Sequence, residues 1–166
     1  LRESPCGLKK RCTAGLDFGG IFASQNRNAA ASHGEYVYQI ELARNEILDD
    51  IPDTEQVLSI ILHSTSLNAS DYEKGKDDEE YEFDLNLLTS AIIDEEDLFS
   101  FSNTLEQRIL GLFGKGDLGE ASWEAQTIRG KIARKLGYKA VSTQDEHGTS
   151  YIVLPGVKLT LLTEDV

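Results

Sequence analysis

The stretch DEHGTSYIVLPG, residues 145 to 156, sets two carboxylates, an imidazole and a glycine directly before a run of strand-forming residues. Two readings of that chemistry are open. Asp145 and Glu146 can be solvated turn residues that let a strand begin, with His147-Gly148 making the turn. One of them can instead be the acid of an active site, a carboxylate placed beside positive charge that develops during bond breaking. Taken alone, the dipeptide reads as a turn. What decides between the two lies far upstream, in FGGIFASQNRNAAASHG, where a glycine pair precedes a short apolar run and His33 follows an Ala-rich segment.

Other chemistries have little to work with. The histidines His33, His63 and His147 show no metal-ligand spacing, and Cys6 and Cys12 have no partners for a zinc site, so no metal is expected. A disulfide between those cysteines would close only a small loop, and two free thiols of a cytosolic protein are the simpler reading. With 29 acidic against 16 basic residues the formal net charge is −13. Direct nucleic-acid binding needs clustered Lys and Arg, and is not expected. A basic protein partner is favoured, including one that itself binds nucleic acid, although plain solubility also accounts for such a charge. No apolar run approaches the ~18 residues of a membrane span.

The elements that must position these residues can be sketched from periodicity. Residues 25–32 read as a short helix closed by Gly34, and 35–42 (EYVYQIEL) alternate as a strand. Asp53 can cap a helix running to about His63, with Ile51, Val57, Ile60 and Ile61 on one stripe. The polar residues 65–82, with the charge run SDYEKGKDDEEYE, read as a solvated loop or insertion. FDLNLLTSAI reads as helical. A helix over about 103–113 follows a possible Asn103 cap and ends near Gly114. Another, over about 120–136, carries Trp123, Ile128, Ile132 and Leu136 at helical spacing and stops at Gly137. Trp123 is assigned to the core. Arg129 is read as a solvated helix residue, with contact to a diphosphate as the functional alternative. Two strands, Ser150–Leu154 and Val157–Leu162, are joined by Pro155-Gly156. The class is α+β, in one domain of ordinary size.

GGIFASQNRNAAASHG resembles a segment of ADP-ribosyltransferases of the diphtheria-toxin-like and poly-ADP-ribose-polymerase branch. In that branch a Gly-Ile-aromatic-Phe-Ala-Ser/Asp strand leads into a short Ala/Ser helix, and an aromatic at its end stacks on nicotinamide. Gly20 to Ser24 look like the strand, Asn28 to Ser32 look like the helix, and His33 falls within a residue of the stacking aromatic. FGGIFAS…SHGE, WEAQTIRGKIARKLGY and DEHGTSYIVLPG together are similar, more narrowly, to phage anti-CRISPR ADP-ribosyltransferases of type I-F systems. The resemblance covers residues 17–40 and 121–156.

The resemblance implies a single ADP-ribosyltransferase-like domain over 1–166, with a split β-sheet core, flanking helices and a variable helical insertion at about 45–118. It implies NAD as the ADP-ribose donor. Gly19, Gly20, Ile21, Phe22 and His33 would contact nicotinamide, with Arg2 and Ser4 standing for the residues that anchor the NAD ribose. No His-Gly occurs at the start of the chain, where the family usually carries one. In many members the catalytic acid stands on the last strand, at the position of Ser150. Here the nearest carboxylates precede that strand, so Asp145 is taken as the main acid and Glu146 as the second choice. The implied target is the PAM-recognising part of a type I-F surveillance complex in the host bacterial cytoplasm. Two alternatives stand beside this one: a non-enzymatic acidic DNA mimic acting on the same complex, and a toxin or effector that modifies another host protein.

Overall fold

The computed structural model describes residues 21–25, 38–68, 78–145 and 148–161. The chain divides into two compact units, one formed by Leu1–Asp49 with Ala133–Val166 and the other by Asp50–Ile132. The described part of the first carries the sheets. The second is helical.

In the sheet-bearing unit a four-stranded sheet runs in the order β1 (Ile21–Ser24), β5 (Gly148–Val153), β4 (Ala140–Asp145), β3 (Ile47–Leu48). β5 is antiparallel to both neighbours, whereas β3 and β4 are parallel. Ala140, Val141, Ile152 and Val153 are all buried, so consecutive residues on both faces of the central pair are shielded from water. β3 is tied in at several levels. The amide of Lys139 donates to the carbonyl of Glu46 at 2.8 Å, and its ammonium pairs with the Glu46 carboxylate at 2.8 Å. The Ser142 hydroxyl donates to the carbonyl of Asp49 at 3.0 Å. A second, two-stranded sheet joins β2 (Tyr38–Gln39) to β6 (Thr160–Leu161). The strand expected after Pro155-Gly156 is therefore present but short, and it leaves the main sheet to pair with the strand expected at 35–42. Gly156 makes the intervening turn at φ 97°, a conformation an L side chain would strain.

The helical unit is built from α1 (Glu55–Ser64), α2 (Asp78–Ile92), α3 (Asn103–Phe113) and most of α4 (Leu118–Lys135). α1 is capped by the hydroxyl of Thr54, which accepts from the amide of Val57, one residue later than the Asp53 cap expected. Val57 and Ile61 are fully buried and Ile51 nearly so, whereas Ile60 is only half-buried. α3 is likewise capped one residue earlier than expected, by Ser102 rather than Asn103, and Gly114 closes it at φ 66°.

Three expectations are corrected here. The charge run does not remain a loop through residue 82. Asp78, Glu79 and Glu80 form the first turn of α2, where carboxylates meet the positive end of the helix dipole. Trp123 is not in the core, being 51% exposed. The buried stripe of α4 is Ala121, Ala125, Ile128 and Ile132. Position 123 lies two residues from both 121 and 125, about 200° around the helix, on the opposite face. Arg129 is not solvated but buried. Its guanidinium donates to the carbonyl oxygens of Ile92 at 2.7 Å and Ile93 at 3.1 Å and pairs with Glu95 at 3.2 Å. It thereby supplies donors to the C-terminal carbonyls of α2, which the helix itself leaves unpaired. Burial lowers the Arg129 pKa from its ordinary value, and Glu95 works against that shift.

Candidate active site

The stretch expected to be the nicotinamide-side strand is β1. It lies antiparallel against β5 with Ile21 opposite Val153, Phe22 opposite Ile152, Ala23 opposite Tyr151 and Ser24 opposite Ser150. Two segments more than a hundred residues apart in sequence are thus adjacent strands of one sheet. Among the described residues β1 is an edge strand, and Phe22 on it is 40% exposed.

The DEHGT stretch is a hairpin. β4 and β5 pair residue by residue from Ala140 opposite Val153 to Asp145 opposite Gly148, so only Glu146 and His147 separate the paired ends. Gly148 has φ 102°, the type of backbone that glycine adopts without strain in tight connections. Just behind, Gln144 donates from Nε2 to the Thr149 hydroxyl at 3.1 Å across the same ladder. Asp145 is therefore the last residue of a strand rather than a free turn residue.

One pair further in, the register adds Thr143, which sequence reasoning passed over, and joins it to Ser150 and Ser24. Thr143 is opposite Ser150, and Ser150 is opposite Ser24. Directly opposed residues share a face, so three hydroxyls form a row across three strands. Thr143 and Ser150 are buried, and among the described residues no buried side-chain polar atom lacks a hydrogen-bond partner. No local signal in VSTQD or TSYIV marks the row, which follows only from the register of the strand pairs. The row has a chemical consequence. Ser150, the position at which the resemblance leads one to look for an acid, carries a hydroxyl between two more hydroxyls, so that row holds no carboxylate.

Of the residues expected to serve the site, Ile21 and Phe22 lie on β1 and Asp145 ends β4. The sheet brings the two segments together. Arg2, Ser4, Gly19, Gly20, His33 and Glu146 lie outside the described residues. No group of three or more His, Cys, Asp and Glu residues suited to a metal ion occurs among the described residues. No described helix is long and apolar enough to cross a membrane.

A mixed fold of helices and sheets is consistent with an ADP-ribosyltransferase-like domain. The model of the family described as Anti-CRISPR Type I-F ADP-ribosyltransferase AcrIF11 matches residues 12–161, and the chain belongs to that family. Among solved structures, one described as "Crystal structure of an anti-CRISPR protein" is similar at 24% identity, covering 88% of this chain and 82% of that one with a TM-score of 0.47. Comparison with curated proteins finds no match.

Proposed function

We infer that the protein transfers one ADP-ribose from NAD to the PAM-recognising subunit of a type I-F CRISPR surveillance complex, so that the modified subunit no longer engages DNA. The observation that carries this reading is the family match over residues 12–161. The β1–β5–β4 register adds support, since it gathers Ile21, Phe22 and the Asp145 hairpin into one sheet. The chain is read as one catalytic domain of phage origin, with its middle helices as an insertion.

NAD supplies a bond between ribose and a pyridinium leaving group, which takes the bonding electron pair and departs as neutral nicotinamide. The new bond forms from the same ribose carbon to a nucleophilic side chain of the target, whose proton is lost. Within the chain, Asp145 supplies negative charge where positive charge grows on the ribose, and Glu146 is the second choice for that role. Gly19 and Gly20 let backbone donors and acceptors approach the nicotinamide amide, and His33 stacks on its ring. Phe22 extends the apolar wall, whereas Ile21, its neighbour on the strand, faces the other side of the sheet and would meet nicotinamide only through its backbone. Arg2 and Ser4 are assigned to the NAD ribose.

Intact-mass spectrometry of the purified surveillance complex, after incubation with the protein and NAD, tests the reading. One subunit should gain the mass of a single ADP-ribose and the complex should lose DNA binding. Inhibition of equal strength without NAD would overturn it in favour of a DNA mimic. Modification confined to other host proteins would move the target elsewhere.

A further inference from the structure

The formal charge of the chain is not spread along it. Residues 50–132 contain 19 Asp and Glu against 6 Lys and Arg, a net of −13. The remainder contains 10 of each and is formally neutral. The sheet-bearing unit with the candidate active site therefore contributes no net charge, and the helical unit contributes all of it.

Several of the few cations of the helical unit are already engaged inside it. Arg129 is buried with Glu95, Arg108 pairs with both Asp84 and Glu80, and Lys115 lies 3.6 Å from Glu124. One helix face stands out against that background. On α2 the exposed residues Glu79, Glu82, Phe83 and Asn86 recur at helical spacing and form one stripe. Phe83 is 46% exposed, and it does not simply hang in solvent. The Arg108 guanidinium lies 5.0 Å from the centre of its ring and is itself anchored on the fully buried Asp84 and, at 3.2 Å, on Glu80. An aromatic ring held by a fixed cation, half open to solvent and flanked by carboxylates, has the form of an interface anchor.

We propose that this face of α2, centred on Phe83 with Glu79 and Glu82, is the surface on which the protein docks a basic protein partner. The proposal rests on the function inferred above, because the nucleic-acid-binding surface of a CRISPR complex supplies the positive charge. Charge complementarity assigns the occupant: a helical unit of net −13 repels nucleic acid and attracts Lys- and Arg-rich protein. Division of labour follows, with chemistry in the neutral unit and partner selection in the acidic one.

The test measures association of the full-length protein with an immobilised type I-F surveillance complex across a range of ionic strength. Glu79→Lys with Glu82→Lys should slow association about tenfold at low salt, and the difference from wild type should shrink as salt rises. Phe83→Ala should speed dissociation about tenfold with little effect on association. NAD-induced thermal stabilisation should be unchanged in both proteins, which also shows that they fold. Unchanged kinetics in both variants, with wild type binding normally, overturns the docking surface and leaves the inferred function standing. Absence of wild-type binding to the complex at any salt overturns the function and the surface together.

Discussion

Asp145 and Gly148 are opposite each other as the last pair of the β4–β5 ladder, with only two residues between them. The acid thus sits at the end of an ordered strand while the connection next to it relies on a glycine at φ 102°. Asp145→Ala should keep the fold and cut single-turnover transfer by about two to three orders of magnitude, the usual scale for one electrostatic stabiliser of a transition state. NAD affinity should fall much less, because the carboxylate acts on charge present mainly during bond breaking. Glu146→Ala should be milder, and the reverse order would exchange the two roles. Full transfer by both variants would leave the hairpin without a catalytic part.

The nicotinamide segment can be tested without the target. NAD should raise the melting temperature of the wild-type protein through binding to the folded state. Gly20→Val should abolish that rise, and His33→Ala should weaken it while His33→Tyr retains part of it. A normal rise in Gly20→Val would remove this segment from the site. Equal loss in both His33 variants would replace stacking by a hydrogen-bonding role.

Arg129 predicts a stability effect separate from chemistry. Arg129→Met leaves the Ile92 and Ile93 carbonyls without their donor and Glu95 without its cation. The loss should be about 3 kcal/mol or more, the usual scale for removing one partner of a buried pair. Arg129→Lys should recover only part of it, since one ammonium cannot reproduce the guanidinium fork. Urea unfolding of the two variants beside wild type measures both, and a loss under about 0.5 kcal/mol would show that the buried guanidinium is not holding the end of α2.

The Glu46–Lys139 pair gives a pH dependence with a defined sign. Hydrogen bonds from Lys139 and from the Ala43 amide hold the Glu46 carboxyl below its ordinary value of 4.5. Its folded pKa lies below its unfolded one, so the pair stabilises the fold above the ordinary range, and the contribution is lost as pH falls through the folded value. Glu46→Gln should therefore be less stable than wild type at neutral pH, with the two denaturation midpoints converging in acid. A constant gap across that range would show that ionisation is not the source.

What the sequence made legible followed from local signals. Gly114 and Gly137 mark helix ends because each adopts positive φ there, and Ile128 and Ile132 fall on the buried stripe because helical spacing places them so. The strand from Ile21 was readable through its resemblance to a family segment. What stayed hidden depended on distant partners. Arg129 looks like any surface cation until the end of α2 is known to lie against it. β3 is only two residues long and owes its existence to β4, far along the chain. Trp123 reads as core because it falls near helical spacing with Ile128 and Ile132, although Ala121 and Ala125 define the stripe. The hydroxyl row of Ser24, Ser150 and Thr143 could not be seen before the register of both strand pairs was fixed.

The parallel pairing of β3 with β4 also has a kinetic side. Glu46 and Lys139, which clamp its start, are 93 positions apart, whereas the β4–β5 hairpin closes over two residues. Closing the longer loop costs more chain entropy and yields only a short ladder in return. The hairpin should therefore form early and β3 should join it late, after the intervening chain has contracted. Pulse-labelled hydrogen exchange during refolding would then find the β4–β5 amides protected before the Lys139 amide that bonds to Glu46. The sheet carrying the candidate acid would be half assembled for much of the refolding time, and the helices between its strands would set how soon it closes.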